Sequence, residues 1–348
     1  MPDSTESITS DADRIPVADL AAVIERRLLR DGMGAAAAAL LGRNHAECER
    51  DAALSHGVFR VPQYAVSLET GYLNGAAEPV IEQPSPTFFR IDADGGVAQL
   101  ALERARVAIE AAVEQHGSAV VAIRDSHHHS ELWPDLEPFA RRGWFGLSMV
   151  TAGSPFVAPE GARAPVLGTN PYAFATPVAG ADPLIADFAT SAMAMGDVTL
   201  HANAGREVPL GTGLDAQGND TTDAAAIIDG GTLLPFGRHK GAALSMMVEV
   251  LASALTGGAF SHQTPQQKPQ GVRTNRTGQF LLLIDPDFGG DGGHAERVSG
   301  FVAALAEAGV DRMPADRRYR ARAAADADGI PVTDAIRELL AEDAAAIA

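Results

Sequence analysis

Ser55, His56 and Arg60 fall within six residues of one another in the stretch Ala53-Leu54-Ser55-His56-Gly57-Val58-Phe59-Arg60-Val61-Pro62. A histidine gives or takes a proton near neutral pH, a serine hydroxyl can hydrogen-bond to it, and a guanidinium can grip a carboxylate through two parallel donors. The set suits proton transfer on a small acid. If the stretch is the last turn of a helix, His56 and Arg60 lie four apart on one face, and Pro62 turns Val61 out of the helix. Ser-His-Gly is also an ordinary loop tripeptide, so its meaning depends on its surroundings.

Those surroundings repeat the chemistry. The apolar run Ala119-Val120-Val121-Ala122-Ile123 has the pattern of a strand buried on both faces. Arg124-Asp125-Ser126-His127-His128-His129-Ser130 waits at its carboxyl end, where α/β layers collect ligands. Small hydrogen-bonding residues follow at Leu167-Gly168-Thr169-Asn170-Pro171 and, after the strand Leu184-Ile185-Ala186, at Asp187-Phe188-Ala189-Thr190-Ser191. Pro235-Phe236-Gly237-Arg238-His239-Lys240-Gly241 places basic groups at a helix N-terminus, a seat for phosphate. No metal is expected at the three consecutive histidines, because neighbouring side chains diverge and no Cys or second His cluster has ligand spacing. Arg312, Arg317, Arg318, Arg320 and Arg322 form a basic cluster that is either a solvated helix face or a grip on a phosphate.

The elements that position these groups follow from periodicity. Residues 1–14 read as a disordered leader. Helical spacing begins after Pro16, and a second helix runs from Gly34 through the alanine tract towards Asp51. A short helix follows Tyr64, and a strand covers Thr87 to Asp92. Gly95-Gly96 opens a helix with Leu100, Ala105, Ile109 and Ala112 on one stripe, closed by Gly117. A helix over 134–142, a strand over 144–150, a helix carrying Leu244, Met247, Val248, Leu251 and Leu255, a strand over 280–284 and a helix over 298–308 complete the α/β pattern. Residues 261–277 read as a mobile polar loop.

Composition narrows the class. A chain of 348 residues, 46% hydrophobic, is long enough for one large core or two interlocked ones. A formal charge of -18 disfavours nucleic-acid binding. A single cysteine, Cys48, forms no internal disulfide, and the polar, acidic start does not resemble a secretory signal, so a cytoplasmic protein is expected. No apolar run approaches the ~18 residues of a membrane span.

Taken in order, Ser55-His56-Gly57-Val58-Phe59-Arg60, Leu167 to Pro171, Asp187 to Ser191 and Gly237 to Gly241 resemble the malate/L-lactate/ureidoglycolate dehydrogenase family, over about residue 15 to residue 325. Glu49-Arg50-Asp51, Leu132-Trp133-Pro134-Asp135, Gly196-Asp197-Val198 and Asp316-Arg317-Arg318-Tyr319 are most similar to its Δ1-piperideine-2-carboxylate/Δ1-pyrroline-2-carboxylate reductases.

The resemblance implies a non-Rossmann α/β fold. A mixed-sheet NAD(P)-binding domain would span 116–294, and a helical substrate domain would combine 15–115 with 295–348. It accounts for the lack of a Gly-x-Gly-x-x-Gly between a strand and a helix. It further implies an NADPH-dependent homodimer, with NADH as the alternative cofactor. His56 would be the proton donor, Ser55 its relay partner, Arg60 the carboxylate anchor, Thr169 a second substrate contact and Asp197 a stabiliser of the iminium cation. The cofactor would lie against His128, His129, Ser130, Glu131 and Leu132, against Asp187, Phe188 and Ala189, against His239 and Lys240, and against Met313, Pro314, Ala315, Asp316, Arg317, Arg318 and Tyr319. Two other readings stay open: a 2-hydroxy-acid dehydrogenase with His56 as base, and a non-catalytic binding protein on the same fold.

Overall fold

In the computed structural model, which describes residues 13–162, 164–264 and 268–347, apolar side chains at helical spacing gather both chain ends into one helical unit. Residues 1–12 of the expected leader and 265–267 of the expected loop lie outside the described residues. Strand β1 (Arg14–Ile15) pairs with Ile330–Pro331, so the described start of the chain is stitched to a segment near its end. Helix α1 (Val17–Arg30) buries Leu20, Val23, Ile24 and Leu28 against α2 (Ala35–Arg50), whose alanines let the two helices approach. Two 3-10 turns, Leu54–His56 and Val58–Gln63, then α3 (Ala65–Glu69), continue from α2.

Next come β2 (Val80–Ser85), β3 (Phe88–Asp92), α4 (Ala98–His116), β4 (Ser118–His127), α5 (Trp133–Arg141), β5 (Phe145–Val150), β6 (Tyr172–Thr176) and β7 (Leu184–Phe188). A smaller lobe holds α6 (Met195–Asn203), β8 (Gly213–Leu214), β9 (Asp220–Thr221), α7 (Ala224–Ile228) and β10 (Thr232–Leu233), closed around Val198, Ile227 and Leu233. Helix α8 (His239–Glu249) runs on as a π-helical segment, Val250–Leu255. The chain ends through β11 (Arg276–Ile284), α9 (His294–Glu307), α10 (Asp316–Asp328), β12 (Ile330–Pro331) and α11 (Asp334–Ile347).

Seven strands form one mixed sheet in the order β2-β3-β4-β11-β5-β6-β7, in which only the β3/β4 pair, bridged by α4, is parallel. Helices α4 and α5 cover one face with Ile109, Trp133, Leu136 and Phe139. Val248 and Ala252 cover the other against Met149 and Phe280. Each large side chain buried in this way contributes about 1.5–3 kcal/mol.

Residues 80–116 join the two units: β2 and β3 extend the sheet and α4 fills its core through Ala105, Ile109 and Ala112, while Val97 and Leu100 pack into the helical cluster. Helix α9 also sits at the sheet, where His294 Nε2 lies 2.8 Å from Thr176 Oγ1. The helical unit takes its C-terminal share from α10, β12 and α11 instead.

Candidate active site

Helix α2 carries the support for the Ser-His turn. His45 and Glu49 lie four apart on its buried side. Burial holds the His45 imidazole down at about 4, so its Nδ1 donates to the His56 carbonyl at 2.8 Å and its Nε2 meets the Tyr64 hydroxyl at 3.1 Å. Glu49 Oε1 accepts the Val58 N–H at 2.7 Å. These contacts pin both sides of Gly57, where a Cβ would collide with the Glu49 carboxylate. The expected final helical turn therefore does not form: two 3-10 turns meet at Gly57, and Pro62 is accommodated inside the second.

His56 presents one nitrogen to the protein. Its Nδ1 lies 3.1 Å from Ser55 Oγ and 2.8 Å from Glu131 Oε1. Burial alone would push the Glu131 carboxyl up, but the charge and hydrogen bond of His56, then Arg318 and a hydrogen bond from Asp187, hold it at about 2. The opposite holds for Asp187, which burial and the adjacent Glu131 charge push well above the usual range. The two carboxyls are thus driven in opposite directions, Glu131 down by its cationic neighbours and Asp187 up by burial and the Glu131 charge. Asp187 Oδ2 also accepts the N–H groups of Leu132 and Trp133 at 2.8 Å each, tying the end of β7 to the start of α5.

Arg60 is the cation of this pocket. Burial opposes its charge, and Tyr64, Asp197 and Glu131 support it. Its Nη1 donates to Gln63 Oε1 at 3.3 Å, while its buried Nε has no partner. Nη2 lies beside Gly196, where a Cβ would come within 2.7 Å of it and 3.2 Å of Ser55 Cβ; this close approach requires glycine and brings Asp197, in the first turn of α6, to the site. Thr169 sits on the far side of β7's end, its carbonyl accepting from Thr190 N at 2.9 Å and Thr190 Oγ1 at 3.0 Å. Behind it Glu249 holds Asn170 Nδ2 at 2.9 Å and Ser261 N at 3.1 Å.

The residues expected at a cofactor, together with the neighbouring His127, divide into groups. His127 and His128 turn inward: Nε2 of the first donates to Tyr72 O at 3.1 Å, and Nε2 of the second meets Asp135 Oδ2 at 2.9 Å. His129 faces Tyr64 edge-on and accepts the Asn275 N–H at 3.2 Å, held neutral by burial and by the Arg60 charge. Ser130 bonds Asn44 and lies 3.5 Å from Cys48. Phe188 stacks edge-on with Tyr172 and Phe236, which places the exposed His239 and Lys240 just beyond the end of β7.

Within Met313 to Tyr319, Asp316 caps the Met313 N–H at 2.8 Å, and the Tyr319 hydroxyl donates to Pro183 O at 2.7 Å. Ala315 takes a left-handed φ of 73°. Arg318 lies over the Trp133 ring at 4.8 Å with its Nη1 buried and unpartnered, so this segment fits a group that offers acceptor oxygens, as a dinucleotide does. Arg322 is spent on structure, bridging Asp51 at 2.6 Å and Glu137 at 2.6 Å, whereas Arg312, Arg317 and Arg320 are exposed.

The geometry brings together Ser55, His56, Arg60, Glu131, Asp187, Asp197 and Arg318. Two roles escaped the sequence reading: Glu131, assigned there to the cofactor, has its carboxylate on His56, and His45 fixes the backbone behind it. The signal for the second was a His and a Glu four apart on an alanine-rich helix.

A family profile described as malate/L-lactate dehydrogenase matches residues 15–341. The Δ1-pyrroline-2-carboxylate/Δ1-piperideine-2-carboxylate reductase of Pseudomonas putida is 46% identical over 336 residues, 95% of this chain and 98% of that protein. The enzyme of the same name from Pseudomonas syringae pv. tomato is 47% identical over 320 residues, 92% of this chain and 93% of that one. Among solved structures, the Δ1-piperideine-2-carboxylate reductase of P. syringae pv. tomato superposes with a TM-score of 0.92 at 45% identity, covering 95% of this chain and 99% of that one. Malate dehydrogenase from Pyrococcus horikoshii superposes with a TM-score of 0.82 at 25% identity, covering 97% and 96%.

Proposed function

The chain belongs to the malate/L-lactate dehydrogenase family, and from that premise we propose that it reduces the C=N bond of a cyclic imino acid, Δ1-piperideine-2-carboxylate or Δ1-pyrroline-2-carboxylate, to L-pipecolate or L-proline. As a member it is an oxidoreductase that works with a nicotinamide cofactor. The observation that carries the substrate reading is the buried, incompletely partnered Arg60 one turn from His56, in a chain whose near-full-length relatives bear the name of that reductase.

Arg60 holds the substrate carboxylate with its fork, and Thr169 adds a hydrogen bond from the opposite side. With Nδ1 engaged by the protein, His56 Nε2 faces the ring and gives its proton to the imine nitrogen, with Ser55 as relay partner; such a donor is worth ~10²- to 10⁴-fold in rate. Asp197 stabilises the resulting iminium cation. A bound reduced nicotinamide would supply the hydride that C2 accepts. Arg317, Arg318 and Arg320 favour NADPH over NADH by binding the extra phosphate.

We further propose a cytoplasmic homodimer. Met246 and Val250, 50% and 57% exposed along one side of α8 and its π-helical extension, support a partner surface there, and an active species that sediments as a monomer would remove it. Among the described residues no helix is long and apolar enough to cross a membrane.

Steady-state rates on both cyclic imines and on malate, each with both cofactors, test the function. The expected kcat/KM for an imine with NADPH exceeds that for malate by about 100-fold or more. Malate turned over faster than either imine would replace the reading with a hydroxy-acid dehydrogenase, and equal efficiency with NADH would remove the phosphate assignment.

A further inference from the structure

We propose that Glu131 is a positioning residue for the proton donor: its carboxylate holds His56 in the tautomer that keeps a proton on Nδ1 and turns Nε2 to the substrate, while Asp187 holds Glu131. The inference rests on the role given to His56 above.

An ionised carboxylate only accepts hydrogen bonds, so the nitrogen 2.8 Å from Glu131 Oε1 must be the donor. Ser55 Oγ, 3.1 Å from the same nitrogen, shares that proton as a second acceptor. Nε2 is then the nitrogen left for exchange, and it has no hydrogen-bond partner among the described residues. When it passes its proton to the imine nitrogen, the neutral ring still donates Nδ1–H to Glu131, so no contact breaks during turnover.

The carboxylate is itself fixed. Asp187, whose Oδ2 is locked by the Leu132 and Trp133 amides at 2.8 Å each, lies beside it, and its carboxyl is pushed up by the Glu131 charge as Glu131 is held down. The orientation of one imidazole in the helical unit is thereby set by the end of a sheet strand and the first turn of α5. This role differs from contact with a cofactor. It predicts a defect in the chemical step, not in cofactor affinity.

The test combines kinetics with nitrogen NMR of the imidazoles in Glu131→Gln and Glu131→Ala, the His56 signals being identified by their loss in His56→Gln. In the parent the neutral form of the His56 ring is expected as the Nδ1–H tautomer, the form left after Nε2 gives up its proton, and in Glu131→Ala as a mixture of tautomers. Glu131→Ala should lose about 10- to 100-fold in kcat with the KM for NADPH unchanged. Glu131→Gln still accepts from Nδ1 and keeps the tautomer but lacks the charge. Besides Asp187 and Arg318, which flank position 131, the charged and titratable groups left near His56 are then Arg60, His45 and His129, and the alkaline limb of kcat/KM should move to lower pH.

A raised KM for NADPH with kcat retained, or an unaltered tautomer in Glu131→Ala, would overturn the proposal. Should the alanine variant fail to fold, the near-isosteric glutamine variant decides through its pH profile. If the parent reduces neither imine, the tautomer measurement still stands, so failure of the function and failure of the positioning role are distinguishable.

Discussion

Arg60 concentrates the energetics of the site in one side chain. A guanidinium taken out of water costs several kcal/mol unless ligands satisfy it, and the protein supplies Gln63 and the fields of two carboxylates, Asp197 and Glu131, where a direct ion pair would neutralise it. That arrangement leaves the charge for a substrate carboxylate. Arg60→Lys keeps the charge and loses the fork; a lost charged hydrogen bond of about 1.5–3 kcal/mol corresponds to a rise of about 10- to 150-fold in the imine KM, with the KM for NADPH unchanged. A rise in the cofactor KM alone would place Arg60 elsewhere in the reaction. Ser55, His56 and Arg60 were legible in the sequence because one short segment carries all three. Glu131 was assigned to the cofactor, and its approach to His56 was not legible because it depends on packing between two units distant along the chain, which no local spacing reports. His128 was drawn the other way, inward, by Asp135 and Gln279, a buried polar pair that also lies outside any local pattern.

Between elements, the seam of α2 and the catalytic turn stores a pH dependence. Burial pushes the Glu49 carboxyl up from 4.5 to about 7, so the folded chain holds a proton there that the unfolded chain releases. Its contribution is complete below pH 4.5, is lost as pH rises towards 7, and is absent above that. Glu49→Gln should therefore be more stable than the parent at pH 8 by up to about 3 kcal/mol and nearly equal to it at pH 4, as read from urea unfolding at both values. Identical pH responses in the two proteins would contradict this. Periodicity revealed α1, α2 and α4 through their apolar stripes, and α8 as well, although Met247, expected on its core side, is exposed. It missed the start of β11, where Arg276, Thr277 and Gln279 are polar yet paired across the sheet with β4, and so a segment expected to be mobile is partly strand. It also missed β8, β9 and β10, two residues each, too short for any pattern to repeat.

Across the whole molecule, the site lies where the helical unit meets the carboxyl ends of the sheet strands, and neither contains it alone. The helical unit brings Ser55, His56 and Arg60; the loop after β4 brings Glu131, β7 brings Asp187, and the small lobe brings Asp197. The mixed α/β architecture followed from the order of elements in the sequence, whereas the seam did not, because β2 and β3 join, through the β3/β4 pair, a sheet whose other strands come later in the chain. The most direct measurement is a crystal structure of the protein with NADPH and pyrrole-2-carboxylate, a planar mimic of the imino acid. The expected result is a carboxylate held by both arms of Arg60, with His56 Nε2 about 3 Å from the ring nitrogen. A ring acid bound away from Arg60 and His56 would contradict the mechanism.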